Sequence, residues 1–172
     1  MSEPRWLSDA EQCVWREFNL ATRMLQAHLE GQLQHDSGMP HAYYEVLVAL
    51  SEAPGRRLRM SELADARSSS RSRLSHAVAR LEANGWVQRE ACGTDKRGSW
   101  AVLTPEGFAA LEAAAPGHVE AVRESLFDAL TPEQVAKLGE ISRAIRQQLS
   151  PKCTAVREAE FDAEVVELPK SG

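Results

Sequence analysis

Little in this chain can hold a metal, carry electrons or cross a bilayer. Its three cysteines, Cys13, Cys92 and Cys153, are odd in number and widely spaced. They make neither a disulfide framework nor a metal site, and they point to a reducing compartment. No segment approaches the roughly 20 apolar residues that a membrane helix needs, and the opening MSEPRWLSDAEQ lacks a secretory pattern. The expected location is therefore the cytoplasm, with no membrane partner. A glycine-rich phosphate loop and a metalloprotease helix motif are both absent, and the serines cluster in a turn with no base nearby. Serines placed that way cap helices more often than they attack substrates. His28, His35 and His41 stand seven and six residues apart, so none shares a helical turn with another ligand histidine. The expectation is a protein that is not an enzyme, with no catalytic residue, no metal and no cofactor.

Excess positive charge is also missing, since the net charge is −5. That would argue against a nucleic-acid partner if the charge were evenly spread. It is not. Residues 55–100 hold ten Lys/Arg against five Asp/Glu, a local +5, and the remainder carries −10. A polyanion responds to the local patch, and the acidic remainder keeps the wrong face off it. The 172 residues can bury a core without metals or disulfides, as one domain or one domain plus an arm.

The basic region coincides with the most organised stretch, residues 60–103, MSELADARSSSRSRLSHAVARLEANGWVQREACGTDKRGSWAVL. Its order reads helix, turn, second helix, strand, basic hairpin, strand. The second helix should start near Ser69 or Ser70 and stop at Asn84-Gly85. Leu74, Ala77, Val78 and Leu81 follow the i, i+3, i+4, i+7 rule and define its buried stripe. Its opposite face carries Ser72, Arg73, His76 and Arg80, side chains that hydrogen-bond base edges or phosphates. Residues 86–91 and 99–103 have the composition of two short strands. The connection 92–98, with Lys96-Arg97 near its tip, suits insertion of a cation into a minor groove. Together these describe a winged helix-turn-helix: a mainly α fold with a small β wing.

The run SELADA, the serine-rich turn, SRSRLSHAVARLEANGWVQRE and TDKRGSWAVLTPEG resemble the MarR family of bacterial transcription regulators over about residues 40–149. The wing pattern of that family, Asp-x-Arg and then a small residue, is met by Asp95, Lys96, Arg97 and Gly98. The resemblance implies a DNA-binding dimer in which Arg97, held by Asp95, reaches into the minor groove. From the residues themselves, Arg73 and His76 are assigned to base edges, with Ser70 and Ser72 on bases or phosphates. Ser68 and Ser69 offer donors to a phosphate at the helix N-terminus. Arg71 and Arg80 are assigned to the DNA backbone.

The flanking segments read as long amphipathic helices. Ser8 and Glu11 form a capping box, and the helix they start should run to about Gln34 before Asp36-Ser37-Gly38 stops it. Val14, Phe18, Ala21, Leu25 and Leu29 make one stripe, which Trp15, Leu20, Met24 and Leu33 widen beyond the reach of one neighbour. A second helix spans about residues 41–51, and residues 57–59 could pair with the wing as a third strand. Thr104-Pro105-Glu106 starts another helix, with a kink or break and restart expected at Pro116-Gly117. Thr131 caps the last helix, whose face is Val135, Leu138, Ile141, Ile145 and Leu149. The expected division is residues 1–36 as the first helix of a dimerisation arm, 37–104 as the DNA-binding lobe and 105–149 as the arm's C-terminal helices. Residues 150–172, an acidic tail, should have little fixed structure.

The partners expected are double-stranded DNA bearing an inverted repeat and a second copy of the chain. The resemblance also implies release by a small phenolic or anionic effector, for which Trp15, Arg23, His28, Tyr43 and Tyr44 are the candidate cleft. Cys13, near a helix start that lowers a thiol pKa, is the candidate redox residue of an oxidation-sensing alternative, although a buried inert thiol is the favoured reading. The remaining alternative is a winged helix turned to protein contact.

Overall fold

The computed structural model describes residues 3–66, 70–91 and 99–149. Its elements are α1 (Asp9–Ser37), α2 (His41–Glu52), a 3-10 turn (Pro54–Arg56), β1 (Arg57–Arg59), α3 (Met60–Ala66), α4 (Arg71–Ala83), β2 (Val87–Ala91), β3 (Ser99–Leu103), α5 (Pro105–Val122), a π turn (Arg123–Phe127) and α6 (Pro132–Leu149). The chain divides into two compact units, Met1–Leu126 and Phe127–Gly172.

Local chemistry sets most of the boundaries in the first unit. Ser8 accepts from the Glu11 amide and Glu11 returns a bond to the Ser8 amide, so α1 opens on the capping box expected. It closes at Gly38, whose φ of 64° only glycine adopts without cost. Residues 57–59 do form a strand, and the sheet has the order β1-β3-β2, antiparallel throughout. One face of that sheet, through Val87, Ala101 and Leu103, closes over α2 and α4. Leu47, Leu50, Leu63, Val78 and Leu81 are fully buried between them. Each such side chain contributes about 1.5–3 kcal/mol by leaving water, so the helix pair and its sheet share one core.

Of the kink or break with restart expected at Pro116-Gly117, the break is absent. α5 runs through Pro116 as one helix to Val122, and the irregular turn comes later, at Arg123–Phe127. Proline removes one backbone bond, but Leu111, Ala114, His118 and Ala121 are buried on both sides of it. That burial, with α5 laid along α1 and α2, holds the helix across the defect. In the second unit Thr131 caps α6 by exchanging bonds with Gln134. α6 buries none of its residues, and Ile141, Ile145 and Leu149 stand exposed. No helix among the described residues is long and apolar enough to cross a membrane. The acidic tail 150–172 lies outside the described residues.

Candidate nucleic-acid interface

α4 starts one residue after Ser70, whose side-chain oxygen accepts the Arg73 amide at 3.3 Å. Leu74, Val78 and Leu81 are buried and Ala77 is part-buried, as the spacing requires. The helical repeat then sends Ser72, Arg73, His76 and Arg80 outward together, and all four are exposed. No carboxylate pairs with Arg73 or Arg80 among the described residues. A helix face with two unpaired guanidiniums, an imidazole and a hydroxyl can fork onto guanine edges or onto phosphates.

α4 is fastened to the sheet at its far end. Gly85, at φ 74°, turns the chain, and the Trp86 amide donates back to the Leu81 carbonyl at 2.9 Å. Arg89 of β2 then reaches over the helix. Its Nη2 donates to the Ser75 carbonyl at 2.9 Å, and its Nε lies 3.1 Å from the Glu82 carboxylate. The Glu82 carboxylate also accepts the Arg89 amide at 3.1 Å. Thr104 completes the joint: its hydroxyl donates to the Gly85 carbonyl at 2.7 Å, and its amide donates to the Trp86 carbonyl at 3.1 Å. Helix and wing sheet therefore move as one piece. Arg89 escaped the sequence reading because its partners lie 14 and 7 residues away on another element; an arginine on the core-facing register of a strand was the only available signal.

Several expected site residues fall elsewhere. Ser68, Ser69 and the wing residues Asp95, Lys96 and Arg97 lie outside the described residues, and Arg71 is the first residue of α4. Trp15 and Arg23 line one shallow groove on α1 with Arg16 and Asn19. His28 is exposed, Tyr43 is part-buried and Tyr44 is buried. Tyr44 packs instead against His118, ring centroids 4.4 Å apart, and His41 lies 5.4 Å from His118 on another side. The His118 Nδ1 faces the Gln32 side-chain oxygen at 3.4 Å. Gln32 is about 25 Å along α1 from Trp15 at 1.5 Å per residue, so one chain does not gather the five residues into a single cleft. Burial, and next the charge on His41, holds His118 below the usual imidazole range, and burial pushes the Tyr44 hydroxyl up. Cys13 is exposed, contrary to the buried thiol expected, in a groove with Asp9, Gln12, Arg16 and Glu17. No cluster of three metal-ligating side chains occurs among the described residues.

A helix pair presenting an outward cationic face, rigidly joined to a three-stranded wing sheet, defines a winged helix-turn-helix DNA-binding protein. Comparison with known proteins narrows the class. A sequence model of the MarR family matches residues 37–98, and the chain belongs to that family. It is 31% identical over 102 residues to the transcriptional regulator HosA of Escherichia coli, covering 59% of this chain and 73% of HosA. Among solved structures it is similar to Sco3205, a MarR family transcriptional regulator from Streptomyces coelicolor crystallised in complex with DNA. The two are 58% identical, with a TM-score of 0.84 over 88% of this chain and 95% of that one. It is also similar to AbsC, a MarR family regulator from the same organism, at 43% identity and a TM-score of 0.81 over 87% of this chain and all of AbsC.

Proposed function

We propose that this protein is a dimeric, sequence-specific regulator of transcription, a repressor that holds an inverted-repeat operator and is released by a small anionic or phenolic ligand. The observation that carries this reading is the unpaired face of α4, Ser72, Arg73, His76 and Arg80, held rigidly to the wing sheet by Arg89 and Thr104. Arg73 and His76 read base edges, Ser70 and Ser72 sit at the helix start on bases or phosphates, and Arg80 and Arg71 hold the backbone. Ser68 and Ser69 serve a phosphate there, and Lys96 and Arg97, with Asp95 in support, serve the minor groove beside it. The similarity to Sco3205, crystallised with DNA, favours this over a protein-interaction module.

Dimerisation is supported by the uncovered apolar surface of α1. Val14, Trp15, Phe18, Leu20 and Met24 are all exposed, a cost a soluble chain avoids unless another surface covers it. On this reading residues 1–36 and 105–149 are the arm and residues 37–104 the DNA lobe, in a cytoplasmic protein. Two copies place two α4 helices about 34–36 Å apart on one side of a duplex. Ligand release then works by population shift, with the effector favouring a lobe spacing that no longer matches successive grooves.

Fluorescence anisotropy on duplexes from the region upstream of its own gene, at two salt concentrations, tests the reading. Tight, salt-sensitive binding is expected, with Arg73→Ala losing about 1–3 kcal/mol selectively on one inverted repeat. A folded protein that binds neither these duplexes nor random genomic fragments would sink it.

A further inference from the structure

The solvent face of the wing sheet holds two arginines, Arg57 and Arg59, that the α4 interface does not use. In the β1–β3 register Arg59 stands opposite Trp100 and Arg57 opposite Val102. Both guanidiniums lie over the Trp100 ring, Arg57 at 4.3 Å and Arg59 at 5.2 Å from its centroid. Immediately before the strand, Arg56 is held at a φ of 53° and its guanidinium sits 3.6 Å from the centre of the Phe108 ring. A positive φ on a non-glycine residue costs free energy, and here it aims a cation. Three arginines within four residues thus lie against aromatic faces.

Among the described residues, one of the three has an acidic partner. Arg57 lies 3.5 Å from the Glu90 carboxylate. The carboxylate of Glu62 is occupied with the Arg59 backbone amide at 3.0 Å. The guanidiniums of Arg56 and Arg59 meet no carboxylate among the described residues. Stacking covers the flat face of a guanidinium and leaves its N–H edge free, the edge that forks onto a phosphate. Stacking of this kind reduces the rotamer freedom an arginine gives up on binding.

Position identifies the polyanion. Arg59–Trp100 is the last β1–β3 pair before the 92–98 connection, the stretch that carries Lys96 and Arg97. The same sheet is clamped to the DNA-reading helix through Arg89. We propose that the Arg57–Arg59 face, ordered by Trp100, is a second DNA-contact surface that grips duplex phosphates flanking the operator, outside the segment read by α4 and the wing. It rests on the regulator reading above, and it would give that regulator a footprint longer than its recognised sequence.

The test is anisotropy on two duplexes centred on one selected operator, one of about 20 base pairs spanning the two half-sites and one of about 40. Wild type is compared with Arg59→Ala, Arg59→Lys and Arg73→Ala across a salt series, each checked for folding by circular dichroism. On the long duplex Arg59→Ala should lower the slope of log K against log salt by about 1 per protomer, and weaken specific and mixed-sequence DNA alike. Arg59→Lys, which keeps the charge but not the flat stack, should fall between. On the short duplex all three Arg59 proteins should match. Equal salt slopes for Arg59→Ala and wild type on the long duplex overturn the proposal, and point to an acidic protein as the surface's partner. An equal loss on both duplexes overturns the flanking placement. The regulator reading survives either result so long as Arg73→Ala loses discrimination; a wild type that binds neither duplex defeats both.

Discussion

Gly107→Ala should be far more damaging than a methyl group suggests. Gly107 is buried in the first turn of α5, directly against the backbone of Trp86. A Cβ built there falls 2.8 Å from the Trp86 carbonyl carbon and 2.9 Å from its Cα, and closer still to the carbonyl oxygen. Ordinary contact begins at 3.4 Å, so the backbone must retreat by about 0.6 Å at the carbon and by more at the oxygen, in the range where overpacking costs about 1–3 kcal/mol. That retreat pulls on the bond from the Thr104 amide to the Trp86 carbonyl, worth about 1 kcal/mol. It also displaces the Gly107 amide from the Thr104 cap, now 3.0 Å, at a further cost of about 1 kcal/mol. The expected loss is about 3–5 kcal/mol, which lowers Tm by roughly 6–20 °C in a chain of this size. Urea titration and thermal melting of wild type and variant measure it. A midpoint that implies a loss under about 1 kcal/mol would refute the argument, because a backbone able to yield so cheaply could not be what ties α4, the wing sheet and α5 together.

Ser70→Ala removes the N-cap of α4 and should cost about 0.5–2 kcal/mol, read by urea titration; an unchanged midpoint would mean that the Ser70–Arg73 bond is not made in solution. His118 titrates below an ordinary imidazole, so the unfolded chain takes up a proton that the fold rejects. Its contribution is complete above the unfolded value of about 6.5 and is lost as pH falls from there toward the folded pKa. His118→Gln should flatten stability against pH in that interval, and a wild-type-minus-variant difference that stays constant with pH would contradict it. Phe18→Glu with Met24→Glu places charge on the exposed apolar face of α1 and should give monomers by sedimentation, with weakened binding to an inverted repeat. Dimers that persist at micromolar concentration would remove α1 from the interface.

The parts that could be read from the sequence are those whose cause lies within a few residues. The Ser8–Glu11 box, the Thr104 and Thr131 caps and the αL stop at Gly38 are local bargains, and each lies where its pattern put it. The stripe of α4 is a period, and a period fixes two faces at once. Residues 57–59 were too short to stand as a strand on composition; they are one because β3 pairs with them. The misreadings share the opposite cause. Pro116 is a helix breaker by local rule, and only the packing of α5 on α1 and α2 keeps the helix whole. His118 had no motif to announce it, since its contact with Gln32 spans 86 residues. Tyr44 likewise meets its neighbour His118 from a distant element of the chain.

On the dimer reading proposed above, the long first helix would tie this protein's order to its abundance. Of its 29 residues only Leu29 and Leu33 are buried, so most of its length lies open within its own unit. In the proposed dimer a second surface would close over Val14, Phe18 and Met24 and hold that length in place. In that dimer stability would rise with concentration rather than being a constant of the chain. Protomers below the association threshold would fray from residue 9 onward and be open to proteolysis, whereas assembled copies would not. Scarcity would therefore be cleared rather than tolerated, and the switch between occupied and empty operators would be sharper than a single binding constant allows.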